Sequence, residues 1–114
     1  MTALPVITPR RRGAGGCTPA HPRVARARAT ALAAVAKAIA DPTRLQIVDA
    51  IRESAPHAVC QCDLLPLFDM AQPTLARHLK VLITAGVLAA ERRGTWTYYY
   101  ERPEALEGLT SWLT

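Results

Sequence analysis

Residues 71–88 read AQPTLARHLKVLITAGVL and describe one helix from its entrance to its exit. Pro73 suits a first helical turn, where its missing N–H would have found no partner anyway. Leu75, Leu79 and Leu82 recur at helical spacing and turn inward. Gly86 stops the run, because glycine accepts the left-handed backbone that ends a helix. The outer side carries Gln72, Thr74, Arg77, His78 and Lys80. This pattern predicts a helix with one face in a core and the other toward a partner.

The neighbouring segments give that helix a context. Upstream, DMAQ (69–72) makes a tight turn, and a short helix is expected over 62–68, with Pro66 tolerated near its first turn. Residues 54–59, SAPHAV, are expected as a loop. ADPTRLQIVDAI (40–51) predicts a helix with Asp41 as N-cap, Pro42 in the first position and Leu45, Val48 and Ile51 as its buried stripe. An alanine-rich helix begins at about Arg23, with Val24, Ala27, Ala31, Val35, Ala38 and Ile39 at helical spacing. Downstream, VLAAERRGTWTYYYE (87–101) reads as two strands around Arg93 and Gly94. Residues 103–113 close the chain as a helix, apolar at Leu106, Leu109, Trp112 and Leu113.

Helix, helix, helix, tight turn, helix and hairpin make a mainly α fold with one β-hairpin, a winged helix-turn-helix. The second helix of such a pair enters the DNA major groove. Gln72 and Arg77 are suited to adenine and guanine edges, and Thr74, His78 and Lys80 to phosphates or packing. Arg92 and Arg93 sit at the hairpin tip, where a wing meets DNA. Trp96 and Tyr98–Tyr100 alternate through the hairpin and are expected to pack it.

Length and charge agree with a small DNA-binding body. At 114 residues there is room for one modest core, of the kind that pairing with a second copy completes. The net charge of +5 is uneven. Residues 1–40 hold seven basic side chains and no acid, whereas residues 41–114 hold seven basic and nine acidic ones. The high pI therefore belongs to the tail and first helix. Four of the body's seven basic residues nevertheless fall on the fourth helix and the hairpin tip. Residues 1–22, rich in Pro, Gly and Arg, are expected as a flexible basic tail, and residues 23–114 as the DNA-binding and dimerisation domain. No apolar run approaches about 18 residues, and the N-terminus lacks the order of charge and apolar core of a signal peptide. A cytoplasmic protein without a membrane partner is expected, and its three cysteines are expected as reduced thiols.

The segments ADPTRLQIVDAI, CQCDL, AQPTLARHLKVLITAGVL and RRGTWTYYY together resemble the ArsR/SmtB family of bacterial metal-sensing repressors. The resemblance covers about residues 31–113. It implies a homodimer on double-stranded operator DNA, released when a metal or metalloid binds. It also implies an inducer site at Cys60 and Cys62, since CxCDL at this helix entrance resembles that of the arsenic and cadmium sensors. The arsenic pattern places a third cysteine three residues after the second, where this chain has Leu65. Cys17 is the replacement to expect, because some family members bring a tail cysteine to this site. Three thiolates suit trivalent arsenic (arsenite) or antimony as inducer, and a helix entrance favours the thiolate form. His21 and His57 are candidate fourth ligands for a harder ion, though each also reads as an ordinary loop histidine. The final helix has carboxylates but no His, which discounts the family's zinc-type site.

Rivals with the same fold respond to cadmium or lead, or to thiol oxidation. A small thiol enzyme, with Cys17 or Cys60 as nucleophile and His21 or His57 as base, lacks the C-x-x-C motif and βαβ context of a redox enzyme. No enzymatic activity is expected.

Overall fold

The computed structural model describes residues 6–114. Five α-helices and three strands follow in order: α1 (Arg26–Ile39), α2 (Pro42–Ser54), β1 (Val59–Cys60), α3 (Gln61–Leu64), α4 (Gln72–Thr84), β2 (Leu88–Arg93), β3 (Trp96–Glu101) and α5 (Pro103–Leu113). The strands form one antiparallel sheet in the order β1-β3-β2. The winged helix-turn-helix arrangement is present, with α3 and α4 as the paired helices and β2–β3 as the wing.

The start of α2 forms as its sequence dictates. The Asp41 side chain accepts from the Arg44 backbone N–H at 3.0 Å, and Pro42 occupies the first turn. This cap satisfies one of the N–H groups that a helix start leaves without a partner. It also holds the Asp41 carboxyl below its ordinary pKa, chiefly through the Arg44 N–H, with the Arg44 and His78 charges adding to the effect. At the far end of α4 the chain reverses through Gly86 at φ +79°, and Val87 N–H returns to the Leu82 carbonyl at 3.0 Å. Gly94, at φ +64°, turns the wing.

Leu75, Leu79 and Leu82 of α4 are 0–1% exposed. They share the core with Val35 and Ala38 of α1, Ile47, Val48 and Ile51 of α2, Leu64 of α3, and Leu88 and Tyr99 of the sheet. The expected stripe of α2 needs one correction. Leu45 is 55% exposed, and Ile47, fully buried, takes its place. The buried face of this helix is centred between Ile47 and Val48, which turns Leu45 away from it.

Three further expectations change. The third helix is shorter than residues 62–68 suggested. It ends at Leu64 and continues as a 3₁₀ turn over Leu65–Leu67. Pro66 has no N–H to continue the α-helical ladder, so the tighter turn replaces it. Residues 54–59 are not wholly loop, because Val59 and Cys60 pair with Tyr99 and Tyr98 of the wing. The first helix begins at Arg26 rather than at about Arg23, whereas the closing helix forms over Pro103–Leu113 as expected, with Leu106 and Leu109 against the core and Trp112 and Leu113 more than half exposed. Within the expected tail, Gly13 and Gly16 bridge in a turn braced by Gly13 N–H donating to Thr18 Oγ1 at 3.0 Å. Residues 1–5 of that tail lie outside the described residues.

Truncating Ile47→Ala is expected to lower unfolding free energy by about 2–5 kcal/mol, read from denaturant titration. Asp41 adds a pH signature. Its folded pKa is depressed, so its stabilisation is complete above the unfolded value and is lost as pH falls through the folded one. Asp41→Ala should therefore lower Tm at neutral pH, with the deficit closing below about pH 4.

Candidate functional site

On α4, Gln72, Arg77 and Lys80 are exposed, as expected of an outward face. Thr74 and His78 are only half-exposed. These two positions are one turn apart and flank the buried leucines. His78 in particular does not stand free in solvent, because its Nδ1 lies 3.4 Å from Arg44 Nη1.

Arg44 joins this site without a local signal in the sequence. Its Nε donates to the Ala38 carbonyl at 2.6 Å, and its Nη2 to the Lys37 carbonyl at 3.4 Å. Those carbonyls belong to the open end of α1, where a cation is favoured by the helix dipole. One residue thus closes α1 and touches α4 through its guanidinium, and begins α2 through its backbone N–H. The DPTR pattern was legible as a helix start, but nothing local shows that its arginine reaches back to another helix.

Arg77 and Lys80 also line a shallow groove with Lys37 and Arg44, over a floor that includes Ala38 and Val81. Its volume is about 590 Å³, and no acidic residue lines it. Lys37 was not among the expected site residues, since it lies on α1. At the wing tip, Arg92 Nε donates to the Gly94 carbonyl at 3.2 Å. Arg93 pairs with Glu91 at 3.3 Å. Both members of that pair are more than half exposed, so water screens it and the contact is weak.

The cysteines occupy the junction of β1 and α3. Cys60 is buried and caps α3, its sulfur accepting from the Asp63 N–H while Asp63 Oδ2 accepts from the Cys60 N–H at 3.0 Å. Cys62 is exposed. The two cysteines are joined as a disulfide, which corrects the expectation of free thiols at this pair. The sulfurs and one Asp63 oxygen lie within 4.8 Å of one another, a donor set of two thiolates and a carboxylate once the bond is reduced. Cys17 is a free, exposed thiol outside this cluster, 3.5 Å from Arg12 Nη1. His21 and His57 are exposed and also outside it.

Asp63 changes the electrostatic argument at the pair. α3 has a single turn, which is too short to present a full helix dipole. A carboxylate beside the sulfurs opposes a second negative charge, yet it supplies a third donor. The capping-box spacing of Cys60 and Asp63 is the sequence signal that could have found it.

A winged helix-turn-helix with a basic reading side defines a class, the DNA-binding regulators. The comparisons with known proteins narrow it. Residues 41–89 match the profile described as bacterial regulatory protein, arsR family. The chain is 39% identical over 75 residues to the arsenical resistance operon repressor of Bacillus subtilis, covering 66% of this chain and 70% of that one. It is also 39% identical over 67 residues to the arsenical resistance operon repressor of Escherichia coli, covering 59% of this chain and 56% of that one. A crystal structure of an ArsR family transcriptional regulator superposes with TM-score 0.68 at 24% identity, covering 75% and 84% of the two chains. A homodimeric winged helix-turn-helix DNA-binding domain from Mycobacterium bovis does so with TM-score 0.64 at 25% identity, covering 76% and 79%. This chain belongs to the ArsR family. It is a DNA-binding transcriptional repressor and not an enzyme.

His78 and Arg77 should separate in mutagenesis. His78→Ala, which removes the contact with Arg44, is expected to lower Tm. Arg77→Ala, on the open face, is expected to keep the unfolding free energy within about 0.5 kcal/mol of wild type, and hence Tm nearly unchanged, and to weaken DNA binding more than His78→Ala does. Parallel thermal melts and anisotropy titrations give both quantities.

Proposed function

We propose that this chain represses an operator as a cytoplasmic homodimer and is released when trivalent arsenic or antimony binds the reduced thiols of Cys60 and Cys62. The observation that carries this reading is the convergence of the Cys60 and Cys62 sulfurs with Asp63 at the entrance of α3. Relatives named as arsenical resistance operon repressors support it. Two soft sulfurs suit a thiophilic ion, and a bound ion ties those sulfurs into one coordination centre. Cys17 supplies a third thiolate by moving the tail of its own or the partner subunit. Asp63 is the nearer third donor, so Cys17 raises affinity without being needed for the switch.

Open apolar surface on α1 and α5 supports the dimer. A groove of about 1010 Å³ between them is lined by Val24, Leu32, Leu109 and Trp112 among others. Closing it with a second copy would bury the exposed Trp112. Two α4 helices related by such a dimer read half-sites about 34–36 Å apart. In this reading Gln72 and Arg77 contact base edges, and Thr74, Lys80, Arg92 and Arg93 hold phosphates. The roles differ in strength. Thr74 is half-buried, and Arg93 is shared with Glu91, so Arg77 and Lys80 carry most of the contact. Lys37 extends the same basic surface.

α3 packs on α4, and Leu64 shares its core. Holding the two sulfurs around an ion in place of their mutual bond therefore shifts the support of the reading helix. Couplings of this kind are typically about 1–3 kcal/mol, and by linkage DNA weakens ion binding equally. The disulfide favours a second reading, in which oxidation of the same pair is the input.

Operator binding by fluorescence anisotropy, titrated under reducing conditions with arsenite, antimonite, cadmium, lead and zinc, tests the input. Cys60→Ser and Cys62→Ser are expected to bind the operator and to ignore arsenite. A Cys62→Ser protein released at wild-type arsenite concentrations would place the inducer site elsewhere. Cys17→Ser should keep operator binding and require more arsenite. Arg77→Ala should cost about 1–3 kcal/mol in operator affinity and relax one base position. Lys80→Ala should weaken all sequences alike and reduce the salt slope by about 1.

A further inference from the structure

Gln61 stands between the two cysteines in the chain, and its side chain bonds to neither. Its Nε2 donates to the Tyr99 hydroxyl at 3.1 Å. Its Oε1 accepts from Gln72 Nε2 at 3.4 Å. Tyr99 is a core residue of β3, the central strand of the sheet. Gln72 is the first residue of α4. A single half-buried amide therefore touches the wing and the entrance of the reading helix at once. Its backbone is held on both sides, by Cys60 in β1 and by Cys62 in α3.

We propose that Gln61 is the positioning residue through which the state of Cys60 and Cys62 reaches Gln72 and Tyr99. The proposal rests on the reading of the pair as the input site. Its physical basis is the shared amide. One end of the amide holds the wing strand and the other holds a residue suited to base contact. Any input that moves the Gln61 backbone must stretch or release one of these bonds. A ligand shifts a two-state equilibrium only through interactions that differ between the states. These two hydrogen bonds can differ in that way, because the Gln72 bond spans α3 and α4, which otherwise meet through packing, and the Tyr99 bond lies beside the β1–β3 ladder rather than within it. Apolar contacts tolerate small sliding, whereas hydrogen bonds weaken steeply with length and angle.

The test uses the full chain and two substitutions. Gln61→Met keeps the length of the side chain and removes both polar atoms. Tyr99→Phe removes one oxygen and leaves the ring in the core. Operator affinity is measured by anisotropy with and without arsenite, under reducing conditions. Arsenite binding is followed separately by sulfur–arsenic ultraviolet absorption. Gln61→Met is expected to bind arsenite like wild type, while the arsenite-induced loss of operator affinity shrinks by about three- to tenfold, the effect of one net hydrogen bond or somewhat more. Tyr99→Phe is expected to shrink it less.

A merely structural role would weaken operator binding equally with and without arsenite, leaving the ratio at its wild-type value. That result overturns the proposal. If Gln61→Met does not fold, a wild-type ratio in Tyr99→Phe overturns it instead. A second arm closes the pair with diamide, which takes the two thiol hydrogens and becomes the hydrazine as the disulfide forms. If wild-type operator affinity ignores arsenite but changes with diamide, the ion reading fails, and the same variants decide the role of Gln61 on the diamide ratio. Wild-type indifference to both inputs overturns both.

Discussion

Burial of three leucines on one side of α4 is the constraint on which the rest of the molecule depends. Leu75, Leu79 and Leu82 have almost no exposed surface. Full burial of each contributes about 1.5–3 kcal/mol before the entropy of ordering is counted. Surface pairs such as Arg93–Glu91 contribute far less, so apolar packing sets the orientation of the helix. That orientation leaves Arg77 and Lys80 outside. The reading side exists because the other side is committed. The same leucines meet residues from α1, α2, α3 and the sheet, so each of these elements bears on the angle at which α4 is presented.

Polar contacts refine what the leucines fix. Among the described residues, no buried side-chain nitrogen or oxygen lacks a partner. Arg44 illustrates why this matters. Its guanidinium meets two carbonyls at the end of α1 and the ring of His78. A donor set of this rigidity suits several acceptors at fixed angles, which a lysine would not satisfy in the same way. On the opposite flank, Arg52 of α2 forms a two-point pair with Glu101 at the end of β3, at 3.1 and 2.5 Å. Glu101 is mostly buried there, and the pair raises the Arg52 pKa through its hydrogen bond to that carboxylate. The wing is thereby tied to α2 as well as to β1.

The thiol pair sits where strand, helix and wing meet. Its placement matters more than its chemistry alone. Cys60 belongs to the sheet through its pairing with Tyr98, and it caps α3 through its sulfur. A change at this sulfur is therefore felt by two elements. The local field does not favour thiolate as strongly as a long helix would, because α3 is one turn and Asp63 is adjacent. The carboxylate offsets this by offering a donor at the same place. On the proposed reading, two sulfurs and a carboxylate would suit a thiophilic ion without the tail, and a third sulfur would tighten its hold.

Much of the fold was legible in the residues. Leucine spacing, Asp41 with Pro42, and Gly86 and Gly94 are local signals, because helix period, capping and positive φ depend on near neighbours. They located the five helices and the wing, and they placed Gln72, Arg77 and Lys80 on an open face. Local signals could not say which of two apolar positions turns inward, so Leu45 was expected where Ile47 is buried. They could not foresee that Val59 and Cys60 join the wing, because a two-residue strand exists only when a partner edge is near. Arg44 on His78, Gln61 on Gln72 and Tyr99, and Lys37 beside Arg77 join residues between 11 and 40 positions apart. Such contacts are products of packing. The sequence determined which residues could carry the chemistry, and only the tertiary structure decided which of them meet.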